Sequence, residues 1–259
     1  MPREFAEAIA DVEARLAPLG RRFEFFTTIG STNDIAAQHA AAPDHEGDVF
    51  VADAQTSGRG RRGRVWFSPP GAGLYVSTIL RPARSPERER ATLLTTIAAG
   101  VALVEGVGRA TGLTPSLKWP NDLYVARRKL AGILAEGIAD SVVLGYGINI
   151  STASFPPELG DRATSLETEL GRSVDRARVF AETLAALAAR YDDLLAARFD
   201  AILDAWRALA PSAQGARVSW TTPAGERNGV TDGIDDRGAL LVRCEDHVER
   251  IVAGELVWR

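Results

Sequence analysis

Four arginines and three glycines crowd into Gly58-Arg59-Gly60-Arg61-Arg62-Gly63-Arg64, directly before Val65-Trp66-Phe67. Glycine allows φ > 0 and close approach of a ligand to the backbone, and arginine offers a planar donor fork matched to phosphate and carboxylate oxygens. Such a loop suits closure over an anion, and it suits a solvated basic turn equally. Two better-known patterns overlap it. Gly58-x-Gly60-x-x-Gly63 has the dinucleotide-binding spacing, but that motif must open a helix. The chain instead continues Val65-Trp66-Phe67-Ser68-Pro69-Pro70-Gly71, which cannot start one. The same glycines with Val65 fit a kinase glycine loop, yet none of His39, His45 and His247 precedes Arg-Asp. Both readings fail.

Of the 30 basic residues only two are lysine, Lys118 and Lys129. They stand in neighbouring motifs, Lys118-Trp119-Pro120-Asn121-Asp122 and Lys129-Leu130-Ala131-Gly132-Ile133-Leu134-Ala135-Glu136. A chain that otherwise uses arginine, and lysine here, points to a need for a compact ammonium. Asp122 sits where a turn aspartate would cap its own backbone. Ser31-Thr32-Asn33-Asp34 follows Gly30 and precedes an alanine-rich stretch. It reads as a helix start whose hydroxyls cap the first turn, or as polar groups facing a ligand at the positive helix end.

An α+β frame is expected to position these groups: a mixed, mostly antiparallel sheet with helices on one face. Phe5, Ile9, Val12 and Leu16 are spaced for an amphipathic helix over residues 2–18. Strands are predicted at 23–27, 48–52, 73–80, 116–119, 122–125, 129–137 and 142–150, with a hairpin tip at Arg127-Arg128. Ser85-Pro86-Glu87 reads as a capped, acidic start to a helix running to about Arg109. Thr164-x-x-Glu167 has capping-box spacing, and Asp175 to about Leu195 is a clear helix. Pro211-Ser212-Ala213-Gln214-Gly215 is the best boundary, dividing residues 1–211 from a small β domain at 212–259 whose short strands have barrel-like spacing.

At 259 residues, 46% hydrophobic and 25% charged, the composition is that of an ordinary globular protein. A net charge of −4 speaks against a nucleic-acid surface. Cys244 is the only cysteine, which excludes an intrachain disulfide and favours a reducing cytoplasm. The charged first turns do not form a signal peptide, and the apolar run from Ile97 to Val104 is too short for a membrane span. No Cys/His array has zinc-ligand spacing.

Ser31-Thr32-Asn33, Gln55 with the Gly58–Trp66 loop, the two lysine motifs and Gly145-Tyr146-Gly147-Ile148-Asn149 together resemble bacterial biotin–protein ligase. The resemblance spans about residues 23 to 150 and continues in the C-terminal β domain. It implies the ligase catalytic fold with a small SH3-like barrel. It implies a two-step activity on biotin and Mg²⁺-ATP: biotinyl-5′-adenylate forms with release of pyrophosphate, and a lysine of a carboxylase's biotin carboxyl carrier domain then takes the biotinyl group. The stretch before Phe23 is shorter than the helix–turn–helix of the repressor members, so the monofunctional class, without operator binding, is expected. The resemblance is compatible with a monomer or a homodimer.

Roles follow from the resemblance position by position. Ser31, Thr32, Asn33 and Gln55 resemble the groups that bind biotin's ureido head, and Arg59, Gly60 and Arg61 match the loop that covers biotin and its adenylate. Arg61, Arg64 and Trp66 lie where the family contacts phosphate and adenine. Lys129 matches the lysine that reaches the biotin carboxyl and the α-phosphate, and Asn149 lies in the strand lining the nucleotide pocket. Asp122 is the candidate to orient or deprotonate the incoming lysine, Lys118 a candidate phosphate or metal contact. Thr56-Ser57 departs from the family's more common Gln-Ala.

Overall fold

The computed structural model describes residues 1–222, 225–254 and 256–258. Seven strands form the larger sheet: β1 (Phe23–Ile29), β2 (Val49–Gln55), β3 (Gly73–Leu80), β4 (Ser116–Lys118), β5 (Asp122–Val125), β6 (Arg128–Ile138) and β7 (Ser141–Asn149). Their order is β1-β2-β3-β7-β6-β5-β4, with β1 and β2 parallel and every other pair antiparallel. β3 and β7 occupy the centre and are buried at every position. Strands buried along their whole length need cover on both faces.

The period-two alternation of side chains assigns that cover. Val49, Val51, Leu74, Val76, Leu144, Tyr146 and Ile148 point into the main core, with α1 (Arg3–Val12), α3 (Arg88–Thr111), α5 (Arg176–Leu195) and α6 (Phe199–Leu209). Phe50, Ile79 and Val143 point the other way, onto Ala36 of the short α2 (Thr32–His39) and Ala40 at its end. The helical layer therefore lies on one face, and α2 alone shares the opposite face with open space. α3 has the length and apolarity of a membrane span, but 72% of its most apolar window is buried against the rest of the fold. It is the central core helix.

Several local boundaries differ from the sequence reading. α1 ends at Val12 and continues as a 3₁₀ turn, Glu13–Arg15, through which Leu16 still reaches the core. α3 begins at Arg88, because Ser85 closes the preceding Pro82–Arg84 turn, its N–H donating to Pro82 O at 2.9 Å. α4 (Leu166–Leu170) is capped by Ser165, which accepts from Thr168 N at 3.3 Å, and not by Thr164. Thr164 is held extended instead, its N–H donating to Lys129 O at 2.9 Å. The β5–β6 hairpin pairs Val125 with Arg128, so its tip is Ala126-Arg127, with Ala126 at φ 51.

The smaller sheet is antiparallel in the order β11-β10-β9-β8-β12: β8 (Gln214–Thr222), β9 (Gly225–Ile234), β10 (Leu240–Arg243), β11 (Val248–Ile251) and β12 (Val257–Trp258). β12 lies outside the strands expected from the sequence. The β9–β10 turn anchors this sheet to the larger unit: Trp119 Nε1 donates to Gly238 O at 3.0 Å and Arg90 Nε to Asp236 O at 3.0 Å. Gly238 has φ +81, and a Cβ there would stand 3.0 Å from Ile97. Only glycine fits the turn and the contact together.

Candidate active site

On the face shared with α2, the sheet is stripped of side chains at three points. Gly132 of β6 pairs with Gly147 of β7, and Leu134 with Gly145. These positions form the floor of a cleft of about 660 Å³. Each glycine is required by what lies on it. A Cβ at Gly145 would run into Asn33 Oδ1, and one at Gly147 would stand 2.5 Å from Trp66 Cε2. One at Gly132 would meet Trp66 Cζ3 at 3.0 Å and Lys129 Nζ at 3.2 Å. The Trp66 indole thus lies on bare backbone, with its buried Nε1 lacking a hydrogen-bond partner.

All the site residues expected from the sequence line this one cleft: Ser31, Thr32, Asn33, Gln55, Arg59, Gly60, Arg61, Arg64, Trp66, Asp122, Lys129 and Asn149. At one end, Gln55 Oε1 accepts from Thr32 N at 2.8 Å and Thr32 Oγ1 at 3.2 Å. Ser77 Oγ lies 2.8 Å from Thr32 Oγ1 and 2.6 Å from Asn33 Oδ1. Asn33 Nδ2 donates to Glu136 Oε2 at 2.8 Å, an oxygen that also pairs with Arg59. Ser31 occupies the N-cap position of α2, but its side chain caps nothing, so its hydroxyl is not consumed by the helix. The result is a nearly dry polar pocket of fixed donors and acceptors: Ser31, Thr32 and Asn33 are each at most 4% exposed.

The glycine–arginine segment crosses the other side as a tight loop. Gly60 N donates to Arg64 O at 2.7 Å, Trp66 N to Gly58 O at 2.8 Å, and Arg62 sits at φ 57. A Cβ at Gly58 would stand 2.6 Å from Ser68 Oγ, which explains that glycine by close packing. Arg61 Nη1 donates to Asn121 Oδ1 at 3.1 Å. Burial, then the neighbouring Arg62, push the Arg61 guanidinium down from its ordinary value, against Asp122. Lys129 Nζ lies 2.7 Å from Asp122 Oδ1 and 5.4 Å from the Trp66 ring centroid. Among the described residues, Arg59, Arg61, Arg62, Arg64, Arg162, Lys118 and Lys129 line the cleft against one carboxylate, Asp122. A cleft with that imbalance of charge favours polyanions.

Two expected residues also have partners within the fold that the motifs do not disclose. Asn149 lines the cleft, but its amide donates to Thr164 O at 2.9 Å and to Lys129 O at 3.5 Å. It braces the segment that carries Lys129. Asp122 is engaged with Lys129, not with its own turn. The sequence reading assigned no role to Glu136 or Ser77. Glu136 shares a face with Gly132 and Leu134 by alternation, but its partners come from α2 and the loop, which no local pattern reveals. Away from the cleft, Cys244, His247 and Glu249 place ligand atoms within 4.8 Å of one another, a grouping the sequence reading did not single out. Burial and Glu249 push the Cys244 thiol up, and Arg227 holds Glu249 at 2.9 Å, so the set is poorly prepared for a metal.

Comparison with known proteins fits this geometry. Residues 25–152 match the Biotin/lipoate A/B protein ligase family and residues 215–257 the biotin protein ligase C-terminal domain. The chain is 35% identical over 262 residues to the bifunctional ligase/repressor BirA of Bacillus spizizenii, covering 98% of this chain and 79% of that one. It belongs to the biotin protein ligases. A further relative, the biotin--[acetyl-CoA-carboxylase] ligase of Mycobacterium tuberculosis, is 35% identical over 92% of this ligase and 89% of its own length. Among solved structures, the Aquifex aeolicus biotin protein ligase in complex with biotin and ATP superposes with a TM-score of 0.78 at 29% identity. That match covers 93% of this ligase and 99% of the Aquifex chain.

Proposed function

We propose that this ligase activates biotin with ATP and transfers it to a lysine of a biotin carboxyl carrier domain. In the first step a biotin carboxylate oxygen attacks the α-phosphorus of ATP and pyrophosphate leaves. In the second, the carrier lysine's amine attacks the acyl carbon of the adenylate, loses a proton, and AMP leaves. The observation that carries this reading is the convergence, in one cleft, of the neutral polar pocket of Ser31, Thr32, Asn33 and Gln55 with the cationic wall around Lys129.

Each part has a chemical task. The polar pocket offers fixed hydrogen-bonding groups to the ureido head. Lys129 stands where the carboxylate and the α-phosphate must meet, and two anions approach each other only if fixed positive charge offsets their repulsion. Arg61 and Arg64 hold the phosphates, Trp66 supplies a flat face for the adenine side, and Arg59 and Gly60 belong to the segment covering the mixed anhydride from water. Asp122, freed from Lys129 when anions arrive, orients or deprotonates the carrier lysine. Magnesium enters as part of the ATP complex: among the described residues the one carboxylate lining the cleft, Asp122, is already paired with Lys129, and Mg²⁺ is commonly held by substrate phosphates with few protein ligands.

Residues 1–211 form the catalytic unit in this reading, and 212–259 a small SH3-like domain docked on it. A reducing cytoplasm, where carboxylases are made, is the compartment. The test is to incubate the protein with biotin, Mg²⁺-ATP and a carrier domain and measure the acceptor's mass. One biotinyl addition at one lysine is expected; an unmodified acceptor contradicts the reading.

A further inference from the structure

Among the described residues, the Lys118 ammonium has no conventional partner. It lies in β4 opposite Asp122 of β5, is half-buried, and lines the cleft. Among the described residues its ammonium makes no hydrogen bond and no ion pair; two aromatic faces lie beside it. Its Nζ stands 4.6 Å from the Tyr124 ring centroid and 5.4 Å from that of Trp258. Lys129, by contrast, has Asp122 at 2.7 Å.

This arrangement has a chemical logic. A half-buried ammonium must be stabilised by something, and a carboxylate partner would both occupy its N–H donors and add negative charge where a polyanion binds. Aromatic faces hold a cation through the ring quadrupole and leave its donors available. Burial pushes the Lys118 ammonium down from its ordinary range; Asp122 opposes this, and Lys129 and Arg127 add to it. The neighbouring cations make the spot a poor place for a lone ammonium and a good one for polyphosphate.

The two rings come from different sheets. Tyr124 belongs to β5 beside the cleft, whereas Trp258 belongs to β12, where it pairs with Val218 of β8. We propose that Trp258 is a positioning residue. With Tyr124 it holds the Lys118 ammonium in the cleft with its donors free for the β- and γ-phosphates of ATP, so the small sheet completes the nucleotide end of the active site. This rests on the reading of the cleft as the site of biotin adenylation.

The test compares Trp258→Phe, which keeps an aromatic face, with Trp258→Leu, which keeps apolar bulk and loses it. Biotin-dependent pyrophosphate release is measured against ATP and against biotin. Trp258→Leu should raise the KM for ATP about 2- to 10-fold, the scale of one cation–π contact, and leave the KM for biotin unchanged. Trp258→Phe should restore most of the loss. In a Lys118→Gln background, Trp258→Leu should have no further effect, because its action passes through the ammonium. Equal effects of Leu and Phe, a parallel rise in the KM for biotin, or full additivity with Lys118→Gln would each overturn the role of Trp258. Wild-type protein that releases no pyrophosphate with biotin would overturn the underlying function instead.

Discussion

Lys129→Gln is expected to slow adenylation about 10²-fold or more with little change in biotin affinity. The ammonium lies 2.7 Å from Asp122 Oδ1, and its side chain is 31% exposed, a setting between bulk water and dry interior. With an effective dielectric of about 20, a unit pair at about 3 Å is worth roughly 5–6 kcal/mol. Only charge that grows during the reaction accelerates it. If about half a unit accumulates beside Nζ as the carboxylate meets the α-phosphate, the transition state loses about 2.5–3 kcal/mol in the variant, or ~10² in rate. The substitution also strands Asp122, whose carboxylate then repels the triphosphate and raises the KM for ATP. Combining it with Asp122→Asn removes that second effect, so the loss of kcat that persists belongs to Lys129. Lys129→Arg keeps the charge but displaces it, because a planar fork does not fit where Nζ sits over Gly132, and should fall between wild type and Gln. Pyrophosphate release at saturating biotin and ATP decides the matter. Turnover by Lys129→Gln within a few-fold of wild type would refute the electrostatic role.

Other perturbations separate the parts of the cleft. Gly147→Ala places a methyl 2.5 Å from Trp66 Cε2, so the indole must move; at about 1–3 kcal/mol for overpacking, the KM for ATP should rise roughly 5-fold or more while calorimetric biotin binding holds, and an unchanged KM for ATP would contradict the placement of Trp66. Arg61→Gly loses the contact with Asn121 and the grip of the loop, so it should still form the adenylate but release it faster; a wild-type off-rate in rapid filtration would contradict this. Glu182 is held below the ordinary carboxylate range chiefly by its hydrogen bond with Arg15, and burial opposes that. Its contribution to stability is present above the ordinary carboxyl value and disappears as pH falls through the lowered one. Glu182→Gln should therefore depress Tm at neutral pH and progressively less as the pH falls below the ordinary carboxyl value; a depression that does not change with pH would contradict the assignment. Tyr191→Phe removes the hydroxyl that accepts from Arg81 N at 2.7 Å and donates to Glu46 Oε1 at 2.6 Å. Denaturant unfolding should show a loss of about 1–3 kcal/mol, and a loss below about 0.5 kcal/mol would mean water replaces it without cost.

What the sequence disclosed depends on how locally each feature is encoded. The central strands and α5 were legible because continuous apolar runs and 3.6-residue periodicity are properties of single segments. Lys129, Asp122 and the arginines were legible because they stand in short motifs with unusual composition. The network that orders them was not. Glu136 meets Asn33 and Arg59 only because β6, α2 and the loop converge, and a one-residue slip in β6 would turn Glu136 into the helical layer. The glycine floor likewise needs the β6–β7 register, which aligns Gly132 with Gly147. Trp258 stayed hidden because β12 is two residues long, too short to carry a pattern. The Ser85 and Thr164 caps failed for another reason. The Ser85 N–H closes the preceding turn on Pro82 O, and the Thr164 N–H is taken by Lys129 O of β6, partners that lie outside the stretch each cap would open.

Formation of the adenylate in the absence of any acceptor tests the account most directly. The protein is incubated with Mg²⁺-ATP and labelled pyrophosphate, with and without biotin, and label entering ATP is followed. Because the first step is reversible and independent of the carrier domain, rapid exchange that requires biotin, and is lost in Lys129→Gln, is the expected result. No biotin-dependent exchange, or exchange undiminished in Lys129→Gln, would contradict the assignment of this cleft.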